Sequence, residues 1–218
     1  MGINQQYQQL CKRWIEKAEQ YNEVIQTSSD CKKRCEALID KFFTLYVVYN
    51  ALYNEVNAIQ ERKRDRDPGI PTDNGSNGSL EEKKAVKNVI SFFLERGEKL
   101  FSKISEDADA RISMTRIEEI MEEGIITGKN RYGDLRICYH ASGKYEKRGD
   151  NNLKYKFSQK DEPDIYVEGI LEFIYHIRCN LFHGKKEINA IQEAILSPSV
   201  ILLERIVNIV YDELTIRF

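Results

Sequence analysis

The chain has 218 residues, of which 41% are hydrophobic and 31% charged, a balance typical of a globular protein with a sizeable core. The net charge of −2 argues against a protein that coats nucleic acid through overall positive charge, so any RNA contact has to be local. Only four prolines interrupt long runs of helix-forming residues, which favours a mainly helical fold.

The sequence also bears on location. Its five cysteines are odd in number and show no CxxC spacing, which suits free thiols in a reducing compartment. The first residues are polar and Gln-rich and do not resemble a secretory signal. Since no apolar run reaches the roughly 18–20 residues of a membrane span, we expect a cytoplasmic protein without a membrane partner.

Two helices are predicted in the first third of the chain. Residues 4–27 form an amphipathic pattern, with apolar side chains at Tyr7, Leu10, Trp14, Tyr21 and Val24. A clearer stripe of alternating three- and four-residue steps predicts a long core helix through Cys35, Leu38, Phe42, Leu45, Tyr49, Leu52, Val56 and Ile59. Asn50 lies near this stripe, where a polar group needs a partner. It either supports a functional site or fixes a neighbouring helix end.

Residues 62–79 predict an exposed loop, because mixed charges give way to Pro, Gly, Asn and Ser. A capping box at 79–82 then starts a third helix, whose stripe comprises Val86, Ile90, Phe93, Leu100 and Ile104. Gly97 would permit close approach of another helix. The next helical stripe contains Met114, Ile117, Met121 and Ile125.

Residues 129–160 differ in character and predict an inserted β-hairpin or structured loop. Residues 135–139 and 153–157 alternate as short strands do, with Gly between them. Lys and Arg are interleaved with Tyr throughout this insertion. Such a pattern can bind single-stranded nucleic acid by charge and stacking, or it can form a solvated hairpin whose tyrosines pack on the body. Both alternatives stay open.

The last third is again helical. Pro163, after two acidic residues, predicts a helix start, and the helix turns its apolar residues inward as far as Leu181. A short helix at 188–195, a break at 197–199 and a final helix should follow. We therefore expect one all-α domain over residues 1–218, a bundle of five to six helices with a small β-hairpin insertion around 130–158.

The segment from Tyr175 to Lys186 carries the chemistry. Arg178 offers a planar, permanently charged fork for phosphate, and His183 has an ordinary pKa near 6.5 that suits proton transfer at neutral pH. In a regular helix these positions lie about 140° apart, so they converge only if the helix ends near Gly184. Arg178, near the apolar stripe, needs an anionic partner, either a ligand phosphate or an internal carboxylate.

A zinc site is the alternative for the same segment. His176, Cys179 or Asn180, and His183 lie close to one helical face. Zinc would require a fourth ligand from a distant part of the chain. We therefore expect neither a metal nor a cofactor.

Residues 178–184, Arg-Cys-Asn-Leu-Phe-His-Gly, resemble the Arg-x(4–6)-His signature of HEPN domains. Residues 41–53 resemble the helix that often precedes it, with an aromatic-Asn-Ala-Leu-Tyr run at its end. The resemblance implies a HEPN-like bundle in which two protomers place their motifs around a shared cleft. Active members cleave RNA without metal, by attack of the ribose 2′-OH on the adjacent phosphate.

Transferred to this chain, the resemblance makes His183 the proton-transfer residue and Arg178 the group that stabilises charge on the phosphate. Asn180 would be a supporting polar residue, although many relatives have a polar residue where Cys179 stands. Asn50 is a second supporting candidate. Position and charge suggest that Lys185 and Lys186 guide the RNA substrate.

The expected function is thus a homodimeric, metal-independent endoribonuclease of prokaryotic phage defence or toxin–antitoxin systems. A separate antitoxin or regulatory protein would restrain it, because no other enzymatic motif accompanies the signature. One alternative is a non-catalytic HEPN-like module that binds a nucleotide or a protein. Another is a helical interaction protein in which the motif is structural.

Overall fold

The computed structural model describes residues 5–66, 78–97, 99–127, 137–138, 145–182 and 190–216. Within these ranges the chain forms nine α-helices: α1 (Gln5–Glu19), α2 (Asn22–Thr27), α3 (Cys31–Arg66), α4 (Gly78–Glu95), α5 (Leu100–Ser105), α6 (Ala108–Thr127), α7 (Lys147–Ser158), α8 (Pro163–Phe182) and α9 (Ala190–Ile216). The predicted all-α bundle is confirmed. The number of helices exceeds the expected five to six, because two predicted helices are each divided and the predicted hairpin contains another.

Helix α3 is the centre of the bundle. All eight residues of its predicted stripe, from Cys35 to Ile59, are buried. Helix α9 packs along one side of α3, and α1, α2 and α4 pack on others. Two ion pairs join the long helices, Arg34 to Glu193 at 2.6 Å and Lys41 to Glu204 at 2.7 Å. Because the pairs occur in the same order along both helices, α3 and α9 run in the same direction.

The predicted first helix is divided, and part of its stripe was wrong. Helix α1 ends at Glu19 and α2 begins at Asn22. Leu10 is 51% exposed, whereas Cys11 and Ala18 are buried. The predicted Tyr7 and Trp14 do pack against the core, and the small residues Cys11 and Ala18 complete that face in place of Leu10.

Gly97 ends a helix, so the close approach predicted there was wrong. Its φ is +72°, a left-handed conformation that glycine adopts without steric cost, and its amide donates to the carbonyl of Leu94. A Cβ added at Gly97 would meet no atom within 4 Å. The predicted third helix is therefore divided into α4 and α5, although its stripe from Val86 to Ile104 is buried as expected.

Helix α9 continues through Pro198, where a break was predicted. Proline removes one backbone hydrogen bond and usually interrupts a helix. Here Ile195 and Val200 on either side are buried, and the Ser199 hydroxyl donates to the Ile195 carbonyl at 2.6 Å. Packing of both halves outweighs the lost bond.

One helix of the described ranges, α9, is also long and apolar enough to cross a membrane by length and composition alone, contrary to expectation. Its mean hydropathy reaches 1.5, yet 61% of that window is buried inside the bundle. Contacts with α3 and α6 give it the surroundings of a core helix.

The second strand of the predicted hairpin was wrong, because residues 153–157 lie within α7. Asp150, Leu153 and Phe157 are buried at helical spacing. Lys156 is buried as well, which no alternation of apolar residues could indicate. Of the first predicted strand, only Ile137 and Cys138 lie within the described residues.

Lys156 is the centre of a buried ion network that joins α7 to α8. Its ammonium group lies 2.7 Å from Glu172 and 2.9 Å from Glu168. Lys87 of α4 pairs with both carboxylates. Burial alone would raise the pKa of Glu168, but hydrogen bonds from the two lysines outweigh it and lower that pKa below its ordinary value. Gly169 allows this contact, since a Cβ there would lie 3.0 Å from the Lys156 Cβ.

We expect Lys156→Met to lower the free energy of unfolding by about 3 kcal/mol, because Glu172 would keep only one of its two cations in a buried site. Urea unfolding followed by circular dichroism measures the change. Lys63→Met is the matched control, because Lys63 and Glu95 form an exposed pair at 2.9 Å that should contribute at most about 1 kcal/mol. Equal losses in the two variants would contradict the role given to Lys156.

Candidate active site at the end of helix α8

Arg178 lies in the last turns of α8, half-buried, with its guanidinium against two aromatic rings. Its central carbon is 4.6 Å from the ring centroid of Phe182, one turn further along, and 5.7 Å from that of Tyr46 on α3. A cation over an aromatic face is attracted by the ring quadrupole. These contacts fix the guanidinium at a solvent-accessible end of the helix.

A second aromatic contact connects the same two helices. The rings of Phe43 and Phe182 meet edge to face, with centroids 5.2 Å apart. Consecutive turns of α3, at Phe43 and Tyr46, therefore contact consecutive turns of α8. The two segments that carry the sequence resemblance lie next to each other in the fold.

Asn180 is directed away from Arg178. Its side chain is buried, and its amide nitrogen donates to the carbonyl of Ile137 at 2.8 Å. Residues two apart on a helix point about 200° apart, so Asn180 and Arg178 lie on different faces of α8. In the structure Asn180 therefore positions a backbone segment, a role that the sequence did not indicate.

That segment is also bound from α7. The buried carboxylate of Asp150 accepts a hydrogen bond from the amide of Cys138 at 2.7 Å and one from the amide of Ile137 at 3.2 Å. The Cys138 carbonyl in turn accepts from the amide of Glu146 at 2.9 Å. The first turn of α7 and the last turns of α8 are thus connected through Ile137 and Cys138.

Asn50 is exposed on α3, one turn beyond Tyr46. Its side-chain oxygen accepts a hydrogen bond from Asn54 at 3.2 Å. The partner expected for this polar group is therefore within the same helix. Asn50 lies beside the aromatic contacts of Arg178 on the surface of α3.

His183, Lys185 and Lys186 lie outside the described residues, as does Gly184. The convergence of His183 with Arg178 therefore stays a prediction. The neighbouring candidates are described. The His176 ring meets that of Tyr175 edge to face at 5.6 Å, and the Cys179 sulfur lies 3.9 Å from an Arg178 nitrogen.

Metal ligation finds no support in the described part of the chain, where no group of three or more His, Cys, Asp or Glu side chains could hold an ion. A polar cavity of about 440 Å³ lies elsewhere, between α2, α3, α6 and α9. Its buried Lys41 already contacts Asn22 and Glu204, each at 2.7 Å. The positive charge of Lys41 is thus paired within the protein, so the cavity is a weaker candidate for a functional site than the end of α8.

Sequence reasoning did not identify the two rings that contact Arg178. Tyr46 falls between the stripe positions of α3, and the sequence motif gives Phe182 no role. A signal was present in both cases. Phe182 is one helical turn after Arg178, and Phe43 and Tyr46 belong to an unusually aromatic stretch of α3.

Comparison with protein-family models, with curated proteins and with solved structures finds no match to this chain. A proposed function for this chain therefore rests on the geometry of the site and on its sequence motif. It provides a fixed guanidinium, an exposed aromatic ring and, next along the chain, a histidine. Those groups can bind a phosphate and the base attached to it.

We expect Asn180→Asp to lower the free energy of unfolding by about 1–3 kcal/mol, because a carboxylate would face the Ile137 carbonyl in place of a donor. Urea unfolding measures the effect, and Asn54→Asp serves as the exposed control. A stability unchanged by Asn180→Asp would show that the Ile137 contact is not needed for the fold.

Proposed function

We propose that this protein is a metal-independent endoribonuclease of the HEPN type. The observation that carries the proposal is the placement of Arg178, whose guanidinium lies between aromatic rings of α3 and α8. His183 follows shortly after it in the sequence. A guanidinium held by packing loses little further freedom when it binds phosphate. The sequence resemblance to HEPN domains supplies the reaction.

In the proposed reaction the ribose 2′-oxygen attacks the adjacent phosphorus, and the bond from phosphorus to the 5′-oxygen breaks. The products are a 2′,3′-cyclic phosphate and a free 5′-hydroxyl. Two protons move: one leaves the 2′-hydroxyl and one reaches the leaving 5′-oxygen. His183 transfers one of them, and solvent water exchanges the other. Arg178 stabilises the negative charge that develops on the phosphate oxygens.

The proposal includes a homodimer, in which two copies of Arg178 and His183 line one cleft. The surface of α3 beside Tyr46 supports it, because Val47 is 48% exposed there. A second copy packed on this surface would remove the exposed valine side chain from water. Two copies would also provide a local positive potential that the net charge of −2 does not.

Cellular context is part of the same proposal. The five cysteines are free thiols, which fits a cytoplasmic protein. A toxin or defence nuclease there would need a separate antitoxin or regulatory protein. The alternative function is a non-catalytic module that binds a nucleotide or a protein, and the exposed Val47 is the observation that favours a protein ligand.

The direct test is cleavage of mixed single-stranded RNA and transfer RNA by the purified protein in the presence of EDTA. We expect His183→Ala to lower the rate about 10²- to 10⁴-fold, because proton transfer is lost. Arg178→Lys should also lower it, since lysine lacks the planar fork. His176→Ala is the matched control and should cleave normally, because His176 precedes the motif and contacts Tyr175. Equal cleavage by the parent and His183→Ala would reject the mechanism.

The dimer is tested separately with Val47→Glu, which would place like charges opposite each other across a two-fold interface. We expect sedimentation equilibrium to change from dimer to monomer and cleavage to be lost. Ile112→Glu is the control, because Ile112 is 68% exposed on α6, away from the site. A monomeric Val47→Glu variant with full activity would show that one copy suffices.

A further inference from the structure

We infer that Phe182 is a stacking platform for an unpaired RNA base, so that the site takes single-stranded rather than duplex RNA. The inference rests on the proposed function, since it specifies the substrate of the same site. Phe182 is 65% exposed, although large aromatic side chains are normally well buried. An aromatic ring offers any base a π-face, and stacking is tolerant of sequence.

The surroundings of the ring fix how a base could bind. The edge-to-face contact with Phe43 orients the ring, and the Arg178 guanidinium lies 4.6 Å from its centroid. The ring is therefore held between Arg178 and Phe43, while most of its surface stays open to solvent. A base stacked on Phe182 places its own phosphate within reach of Arg178. One side-chain pair would then bind both parts of a nucleotide.

Further positive charge lies at the same end of the α7–α8 pair. Because Asp150 is connected to Asn180 through Ile137 and Cys138, while Lys156 pairs with Glu172, the two helices run in opposite directions. The first turn of α7 therefore lies near the last turn of α8. That turn exposes Lys147 and Arg148, with Glu146 as their acidic neighbour.

These cations favour a nucleic-acid strand over a protein partner as the occupant of Phe182. A strand that passes around this end from α8 to α7 could contact Lys147 and Arg148 as well as Arg178, since phosphate backbones bind through several such cations. Duplex RNA keeps its bases stacked within the helix and cannot offer one to the ring. The ring can therefore stack only on a base of unpaired RNA.

Binding is measured by fluorescence anisotropy with a 5′-labelled mixed-sequence RNA, single-stranded or annealed to its complement, in a His183→Ala background that prevents cleavage. We expect Phe182→Leu to weaken single-strand binding about 5- to 150-fold, the range that loss of one stacked base produces. Phe182→Tyr should retain affinity within about twofold. Tyr155→Leu is the matched control, since Tyr155 is 55% exposed on α7.

The leucine and tyrosine variants separate stacking from apolar packing. If Phe182→Leu binds single-stranded RNA as well as its parent, the ring is not a stacking platform and the inference is overturned. If, in addition, Phe182→Ala dissociates a dimer that Phe182→Leu retains, the ring belongs to a protein interface. Thermal melts by circular dichroism establish that each variant is folded.

The same variants in the active background distinguish this inference from the proposed function. Cleavage that requires His183 but is unaffected by Phe182→Leu would leave the nuclease intact and overturn the stacking platform. Conversely, a protein that never cleaves RNA but binds single strands through Phe182 would reject the nuclease and retain the platform. Equal affinity for single-stranded and duplex RNA would overturn the substrate preference.

Discussion

The position of α8 depends on a buried ammonium group between two carboxylates. Lys156 reaches from α7 to Glu168 and Glu172, and its side chain is only 9% exposed. Removing such charges from water costs several kcal/mol per ion, so the network is stable only because each charge has close partners. These ion pairs fix the alignment of the middle of α8 along α7. The position of the C-terminal end of α8, which carries Arg178, follows from that alignment.

Towards the end of α8 the constraint changes from ion pairs to backbone hydrogen bonds. Asn180 and Asp150 bind opposite sides of the Ile137–Cys138 segment, one to a carbonyl and the other to two amides. These bonds occupy one face of the helix. Arg178 and Phe182 lie on another face, against α3, where packing orients the side chains without covering them. The last turns of α8 are therefore rigid on one side and open on the other.

The sequence predicted the elements whose burial is apolar and regular. Every stripe residue from Cys35 to Ile59 is buried, and α8 begins at Pro163 as expected. Prediction from the sequence failed where a buried residue is polar, as at Lys156. It also failed where tertiary packing overrides a local signal, as at Pro198. The strand predicted at 153–157 relied on apolar residues at every second position, yet Tyr155 is exposed and Lys156 is buried. Pairing with two carboxylates cannot be read from residue spacing.

The candidate site was only partly predictable for a related reason. Arg178 could be selected because a guanidinium near an apolar stripe needs a partner, but the two rings that contact it could not be predicted from the residue spacing. Asn180 was assigned to the same site because the resemblance gives a polar residue just after the Arg a supporting role. Side chains two residues apart on a helix nevertheless point about 200° apart.

The exposed positive charge of the described residues is unevenly distributed around the candidate site. The basic residues of the 129–160 region, for which the sequence leaves both RNA binding and a solvated surface open, are not equivalent, since Lys156 is neutralised inside the protein while Lys147 and Arg148 face solvent. Lys160 pairs with Glu118 at 2.6 Å on a different part of the surface. The exposed cations of α7 thus concentrate at the end that also presents Arg178 and Phe182. Other cations of the described residues, among them Lys41, Lys87 and Arg116, pair with carboxylates, so their charge is largely balanced locally.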